Sequence, residues 1–359
     1  MELVKDAGIV DAISKVAPGG GLRSGLDRIL QARMGALLIL GDSPEVLSIC
    51  SGGFLVDAEF SPQRLYELAK MDGAIVLSSD GIRLARANVH LVPDPRLPTT
   101  ETGTRHRTAE RVARTVDVPV VAVSEELGVI TVYRRNQKRQ LQPIVEVWAR
   151  ANQALSTLER YKERLERVLK RLSELERSSK ATFRDVVLVL QRAELVRRIS
   201  EEINWYLIEL GADGRMLSLQ LDELYLDIRG DYDSVISDFL GPCSEDDTLE
   251  VRTYLASLDT DDLLDVSVVS EGVAKRARCT ELVTALSDDP RDRLKLKLES
   301  RGERVLSLVP RLPQSVKEAI LERFSNLSAL SSVSEFELSK VEGVGPEWAK
   351  VIKEFISEN

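Results

Sequence analysis

Two short stretches of this sequence hold side chains that could do chemistry. The first is "MDGAIVLSSDG", Met71 to Gly81, with Asp-Gly pairs at Asp72-Gly73 and Asp80-Gly81. The second pair lies between the strand-like runs "AIVLSS" and "IRLARANVHLV", the signal of a tight hairpin whose two central residues take positive φ. The first pair joins a helical pattern, "PQRLYELAK", to a strand, so no hairpin requires it. Gly73 either caps that helix or leaves room for a ligand beside the Asp72 carboxylate. The other stretch is "TGTRHRTAERVA", Thr102 to Ala113. It crowds Arg105, His106 and Arg107 at the start of a helix, an end that already carries partial positive charge and unpaired N–H groups. Such a cluster is either screened by water and salt or matched by an anion, and a phosphate suits it. Thr104 or Thr108 is expected to cap the helix and to add hydroxyl donors.

One carboxylate for a metal or a hydroxyl, together with a cluster of donors, describes a polyphosphate site. The chain has no GxxxxGK[ST] loop, and no GxGxxG opens a helix after a strand, so the site lies outside the two common nucleotide folds. The preceding "PDPRLPTTETG" is a polar loop of the kind that borders a site. His90 alternates with Val89 and Leu91 along a strand and reads as structural.

These residues need elements to hold them. From Met34 to Val132 the chain alternates short apolar runs ("GALLILGD", "GGFLVD", "GAIVLSSDG", "ANVHLVP", "PVVAVSEE", "GVITVYR") with helical patterns at Ser61 to Lys70 and Thr108 to Asp117. That is a mixed α/β domain with hairpins. The N-terminus reads as an amphipathic helix with Leu3, Ile9, Ile13 and Val16 on one face, ended by Gly19-Gly20-Gly21, and not as a signal peptide. Leu158, Tyr161, Leu165, Val168, Leu172 and Leu175 then form an a/d seam, and a second helix runs from Phe183 to Leu210 and stops at Gly211. "CSEDDTLEV" and "SLDTDDLLDV" read as turn-rich, with more helix around Val268 to Leu286.

A third zone begins near Arg301. "LPQSVKEAILERF" reads as a helix, and "VEGVGPEWAKVI" as helix, tight loop, helix. Gly343, Val344 and Gly345 would bring the backbone close to a DNA phosphate, with Lys350 and Lys353 on the following turns. A plain αα-hairpin fits the same residues. From Arg301 to Asn359 there are 8 Lys/Arg against 9 Asp/Glu, so one copy should bind DNA weakly and several copies by avidity.

The 359 residues are too many for one core and imply two or three domains. A net charge of -9 excludes coating nucleic acid by bulk charge. No apolar run reaches the ~20 residues of a membrane helix. Three scattered cysteines, none in a CxxC, point to a reducing compartment and away from structural zinc.

"DGA" at Asp72 to Ala74, "RHRTAER" at Arg105 to Arg111 and "GALLI" at Gly35 to Ile39 resemble the diadenylate cyclase family. The layout of nearly the whole chain resembles the DNA integrity scanning proteins, the members of that group without a membrane anchor. The resemblance implies an α/β cyclase domain with a mixed central sheet and flanking helices (1–145), an all-α spacer (146–295) and a helix-hairpin-helix DNA-binding domain (296–359). It implies condensation of two ATP into cyclic di-3′,5′-AMP and two pyrophosphates across a face-to-face dimer. Asp72 would hold Mg²⁺ or Mn²⁺ and activate the attacking hydroxyl, while Arg105, His106 and Arg107 act on the phosphates. ATP contacts would fall on Gly73, Ala74, Leu91, Gly103, Thr104, Thr108 and Ser124. It further implies an octamer in the cytoplasm, associated with the nucleoid, whose cyclase activity is lowered by branched DNA such as Holliday junctions. The competing reading is a structural branched-DNA binder whose N-terminal domain only binds a nucleotide.

Overall fold

The computed structural model describes residues 7–241, 245–285, 289–324 and 326–358. They form two compact units, one of residues up to 154 with 202–220, the other of residues 155–201 with those from 221 onward. The expected spacer, 146–295, is shared between them: residues 146–154 and 202–220 fall in the first unit and the rest in the second, with the expected C-terminal domain.

The first unit opens with α1 (Ala7–Val16), which buries Ile9, Ala12, Ile13 and Val16; Leu3 lies outside the described residues. A second helix, α2 (Gly21–Gln31), starts where the sequence reading ends the first, with Gly20 as its N-cap. Its mid-helix Gly25 conceals it, and the reason is packing: a Cβ there would fall 2.7 Å from Leu65. There follow β1 (Ala36–Leu40), α3 (Pro44–Ser48), β2 (Cys50–Ser51), β3 (Phe54–Glu59), α4 (Pro62–Leu68), β4 (Ala74–Leu77), β5 (Arg83–Leu91), α5 (Thr104–Thr115), β6 (Val120–Val123), β7 (Ile130–Arg134) and β8 (Gln137–Gln140).

The strands form one sheet in the order β2-β5-β4-β1-β6-β7-β8, with β3 also on β5. Only the β1–β4 pairing is parallel, so the sheet is mixed as expected. The runs ALLIL, AIVL and VVAV of β1, β4 and β6 are apolar throughout because both faces are covered. Ile13, Leu26, Leu38 and Leu65 belong to the cluster on one face, Ile39, Val76, Ala109 and Val112 to that on the other.

The β4–β5 connection is the hairpin expected at Asp80-Gly81, with a longer loop than a two-residue turn. It spans Ser78 to Ile82, and of that pair only Gly81 has positive φ, +72°. The Asp80 carboxylate accepts from the Ser78 hydroxyl at 2.5 Å and from the Ile82 N–H at 2.9 Å, so it closes the loop without a left-handed backbone of its own.

Beyond β8 the described chain is helical: α6 (Ile144–Arg177), α7 (Phe183–Leu210), α8 (Arg215–Phe239), α9 (Glu245–Ser257), α10 (Thr260–Leu264), α11 (Val266–Ala274), α12 (Thr280–Thr284), α13 (Pro290–Arg293), α14 (Glu303–Ser307), α15 (Gln314–Arg323), α16 (Leu327–Ser332), α17 (Glu335–Leu338) and α18 (Pro346–Glu358). The expected a/d seam is buried at Leu158, Leu165 and Leu172 but half-exposed at Tyr161, Val168 and Leu175; Leu155, Leu169 and Glu176 are buried instead. Leu158, Leu165 and Leu172 are therefore covered within a single chain. The acidic stretches read as turns are mostly helix: α9 occupies much of the first, and Asp259 and Asp265 cap α10 and α11 in the second. Cys243, with its neighbours Pro242 and Ser244, lies outside the described residues.

Candidate active site

The sheet register gathers the expected site residues along one edge. Leu38 pairs with Ile75, so the parallel register carried back three residues sets Gly35 beside Asp72. Ala36 pairs with Val123, which sets Gly35 beside Ser124 on its other side. Ala74 pairs with Val89, so Asp72, turned off the strand by the left-handed Gly73, stands at the sheet edge that Leu91 reaches. Leu91, Asp72, Gly35 and Ser124 thus form a row at one end of the neighbouring strands β5, β4, β1 and β6.

Along this row Gly73 has φ +89°, and a Cβ on it would lie 2.9 Å from the carbonyl carbon of Asn88 and the carbonyl oxygen of Val89. Glycine is demanded there by the fold itself, before any ligand is considered. Ala74 and Leu91 have buried side chains, so only their backbone could meet a ligand. Asp72 is exposed and makes no hydrogen bond or ion pair among the described residues. Ser124 accepts the Leu127 N–H at 3.1 Å, which leaves its hydroxyl proton free to donate.

Helix α5 starts four residues earlier than expected, and neither threonine caps it. Gly103 is the N-cap and has no side chain to offer, while the Thr108 hydroxyl donates to the Thr104 carbonyl at 2.9 Å. The first N–H groups of α5 are left without a side-chain cap, and Arg105, His106 and Arg107 lie within its first turn. Glu110, farther along the helix, is buried; it accepts the Thr99 hydroxyl at 2.5 Å and pairs with Arg114 at 2.6 Å. Arg111 donates to the Leu97 carbonyl at 3.0 Å. The polar loop is thereby strapped to the helix whose start it precedes.

A groove of about 540 Å³ joins Gly103, Thr104, Arg105 and His106 to Ser124, and adds Arg33, Glu125 and Glu126, which the sequence reading missed. Asp72, Leu91, Arg107 and Thr108 do not line it. Gly35 belongs to the "GALLI" motif, and a Cβ on it would overlap the Arg105 guanidinium. Neither the Arg105 nor the Arg107 guanidinium has a hydrogen-bond or ion-pair partner among the described residues.

His106 is held from behind. Its Nδ1 lies 2.9 Å from the Tyr133 hydroxyl, which donates to Glu101 at 3.1 Å; Lys138 donates to the same carboxylate oxygen at 2.8 Å. Burial pushes the imidazole pKa down, with the Arg105 and Lys138 charges adding to that and Glu101 opposing it. Burial opposes ionisation of Glu101, but its bonds from Lys138 and Tyr133 outweigh that and hold it below the usual carboxylate range. His90 is exposed on β5 opposite Ser51.

In the second unit Gly343 has φ +79°, while Gly345 has no left-handed φ and open space where a Cβ would stand. Val344 is buried in the cluster with Val341, Ala349 and Ile352, so its side chain packs inward. Lys350 is exposed. Lys353 departs from the expectation: its ammonium donates to the carbonyls of Ser331 at 2.8 Å and Leu330 at 3.3 Å, closing the end of α16.

Comparison with known proteins agrees with this layout. Residues 23–138 match the family described as DisA bacterial checkpoint controller nucleotide-binding, and residues 141–278 the DisA bacterial checkpoint controller linker region. The DNA integrity scanning protein DisA of a Parafrankia species is 44% identical over 346 residues, 96% of this chain and 93% of its own. The chain belongs to the DNA integrity scanning protein DisA family. The DisA of Kineococcus radiotolerans is 45% identical over 95% of this chain and 92% of its own, and that of Carboxydothermus hydrogenoformans 41% over 98% and 96%.

The nucleotide-binding match contains the Asp72 and Arg105 to Arg107 motifs and the groove. No group of three His, Cys, Asp or Glu that could hold a metal ion occurs among the described residues. A lone carboxylate without a protein partner fits Mg²⁺ or Mn²⁺, since such ions often take one or two carboxylates and complete their shell with substrate phosphates and water. Among the described residues no helix is long and apolar enough to cross a membrane.

Proposed function

We propose that this chain condenses two ATP molecules into cyclic di-3′,5′-AMP and two pyrophosphates, one ATP held by each of two facing protomers. It is a nucleotidyltransferase of the diadenylate cyclase type, the class its nucleotide-binding domain and its DisA relatives carry. The observation that supports the finer reading is the row Leu91, Asp72, Gly35, Ser124 beside the uncapped start of α5. A nucleotide laid along it would have adenine at the Leu91 backbone, ribose near Asp72, and phosphates at Ser124, Thr104 and the α5 N–H groups.

In each half-reaction the 3′-oxygen of one ATP bonds to the α-phosphorus of the other, the bond from that phosphorus to the bridging oxygen breaks, and pyrophosphate leaves. Asp72 would orient the 3′-hydroxyl and take up its proton. Arg105 and Arg107, both without protein partners, would carry the charge that grows on the leaving pyrophosphate. Gly103 gives no side chain to compete with a phosphate at the α5 N–H groups. A divalent ion, Mg²⁺ or Mn²⁺, held at Asp72 would supply charge neutralisation when bound.

The second unit would bind DNA phosphates through the Gly343 to Gly345 backbone and Lys350, without reading bases. Assembly into an octamer would make that weak contact useful, and branched DNA would lower the cyclase rate. The setting would be the cytoplasm, at the nucleoid. Purified protein incubated with ATP and Mg²⁺ or Mn²⁺ should give cyclic di-3′,5′-AMP by mass spectrometry. ATP binding without that product, across both metals and several pH values, would leave only a nucleotide-binding DNA protein.

A further inference from the structure

Tyr133 and Glu101 play no part in the reaction as derived, yet they fix the proton on His106. Glu101 holds Lys138 and is an acceptor only when ionised. The Tyr133 hydroxyl has one proton and gives it to Glu101, so its oxygen can only accept from His106, and Nδ1 must carry the hydrogen. Tyr133, at the centre of this chain of bonds, is 1% exposed. In neutral His106 the remaining ring nitrogen, Nε2, then has a lone pair and no proton, on a residue that lines the groove. A phosphate oxygen there also has only lone pairs. The two can bond only if the imidazole gains a second proton.

We propose that Tyr133 and Glu101 are positioning residues that hold His106 as its Nδ1–H tautomer, so that nucleotide binding is coupled to uptake of one proton at Nε2. This rests on the nucleotide reading of the groove. Arg105, Lys138 and Arg33 act against that proton, and Glu101, Glu125 and Glu126 act for it; Glu110 faces Tyr133. Burial keeps the free imidazole easier to deprotonate than usual, so the coupling operates at neutral pH. The imidazolium that results donates to phosphate from Nε2 and shares its charge with Glu101 through Tyr133, the same use of a carboxylate behind an imidazole that serine hydrolases make.

The test is calorimetric titration of full-length protein with α,β-methylene-ATP and Mg²⁺ at pH 7.5, in buffers of different ionisation enthalpy, which counts protons taken up. Wild type should take up about one proton more than His106→Gln. Tyr133→Phe frees Nδ1, lets neutral His106 place its hydrogen on Nε2, and should lose at least half of that difference while still binding. A merely structural role for Tyr133 would weaken binding and leave the proton count unchanged. Glu101→Gln, a second variant that removes the carboxylate charge favouring the imidazolium, should lose the uptake at a lower pH than wild type. Binding with equal proton counts in wild type and His106→Gln overturns the coupling alone. No binding of the analogue by wild type overturns the nucleotide reading, and the coupling with it.

Discussion

The Arg105 guanidinium occupies the space where a side chain at position 35 would stand: a Cβ on Gly35 would lie within 2.8 Å of its Nη1, Cζ and Nη2 atoms. Gly35 sits between Asp72 and Ser124 in the sheet register, so this seat brings Arg105 over the middle of the row. In Gly35→Ala the flexible guanidinium moves and the backbone does not. The melting temperature should stay near that of wild type, while kcat/KM for ATP falls on the order of 100-fold, as when a transition-state donor is misplaced. Steady-state rates and a thermal melt check this; a wild-type rate would show that Arg105 works from another position.

Much of this was legible in the sequence, for reasons that differ by residue. The six apolar runs became strands; in five of them apolar residues are buried on one or both faces, a signal that composition carries, whereas β3 leaves Phe54 and Leu55 exposed and is held by its pairing with β5. Strand β8, "QKRQ", has no apolar residue and exists through its pairing with β7, so no pattern announced it. The acidic stretch around Glu245 to Ser257 looked like turn because the Asp and Glu that begin α9 are equally at home in turns and in first helical turns. At the site, Asp72 and Arg105 to Arg107 could be found by their types and spacing. Gly35 and Tyr133 could not, because one acts by lacking atoms and the other through a bond to a residue 27 positions away. The role expected for Lys353 failed for a similar reason: an exposed-looking lysine had carbonyls to bind across the fold.

Stability of the second unit should fall as pH rises from about 4 to about 7. Burial first, and then the nearby Glu176 charge, raise the Asp238 carboxyl to about 7 against an ordinary 3.8. In that window the folded chain keeps a proton that the unfolded chain has lost, so unfolding releases it, and higher pH favours unfolding; above about 7 the contribution is flat. Asp238→Asn should melt lower in acid, since its amide replaces one acceptor for the Glu303 and Arg304 N–H groups, but should lose on the order of one proton from the pH slope. Denaturation at pH 5 and 8 decides it, and an unchanged slope refutes it.

Cutting the chain before Arg301 should not leave an intact spacer. It would strip Glu176, 1% exposed in its side chain, of the Arg304 bond at 3.1 Å, and Asp238 of both its N–H donors. Arg304→Met isolates the first effect and should cost about 3 kcal/mol in urea denaturation. A variant as stable as wild type would mean that Glu176 is neutral and self-sufficient.

Lys350→Glu should weaken binding to a four-way junction uniformly across sequences and reduce the slope of log affinity against log salt by about one. The matching change at Lys353 should instead lower stability, because its ammonium closes α16. Filter binding at several salt concentrations, with a melt of each variant, separates the two; equal loss of affinity in both at unchanged stability would restore Lys353 to the DNA surface.

The central claim is that Asp72 and the Arg105 to Arg107 turn act on one nucleotide along one sheet edge. Its most direct test is the reaction of wild type and Asp72→Asn with ATP and Mn²⁺, with cyclic dinucleotide and pyrophosphate both quantified. Wild type should release two pyrophosphates for each cyclic di-3′,5′-AMP, and Asp72→Asn should bind ATP within a fewfold of wild type yet form on the order of 1,000-fold less product. Equal product from Asp72→Asn, or release of ADP and phosphate by wild type in place of the cyclic dinucleotide, would contradict it.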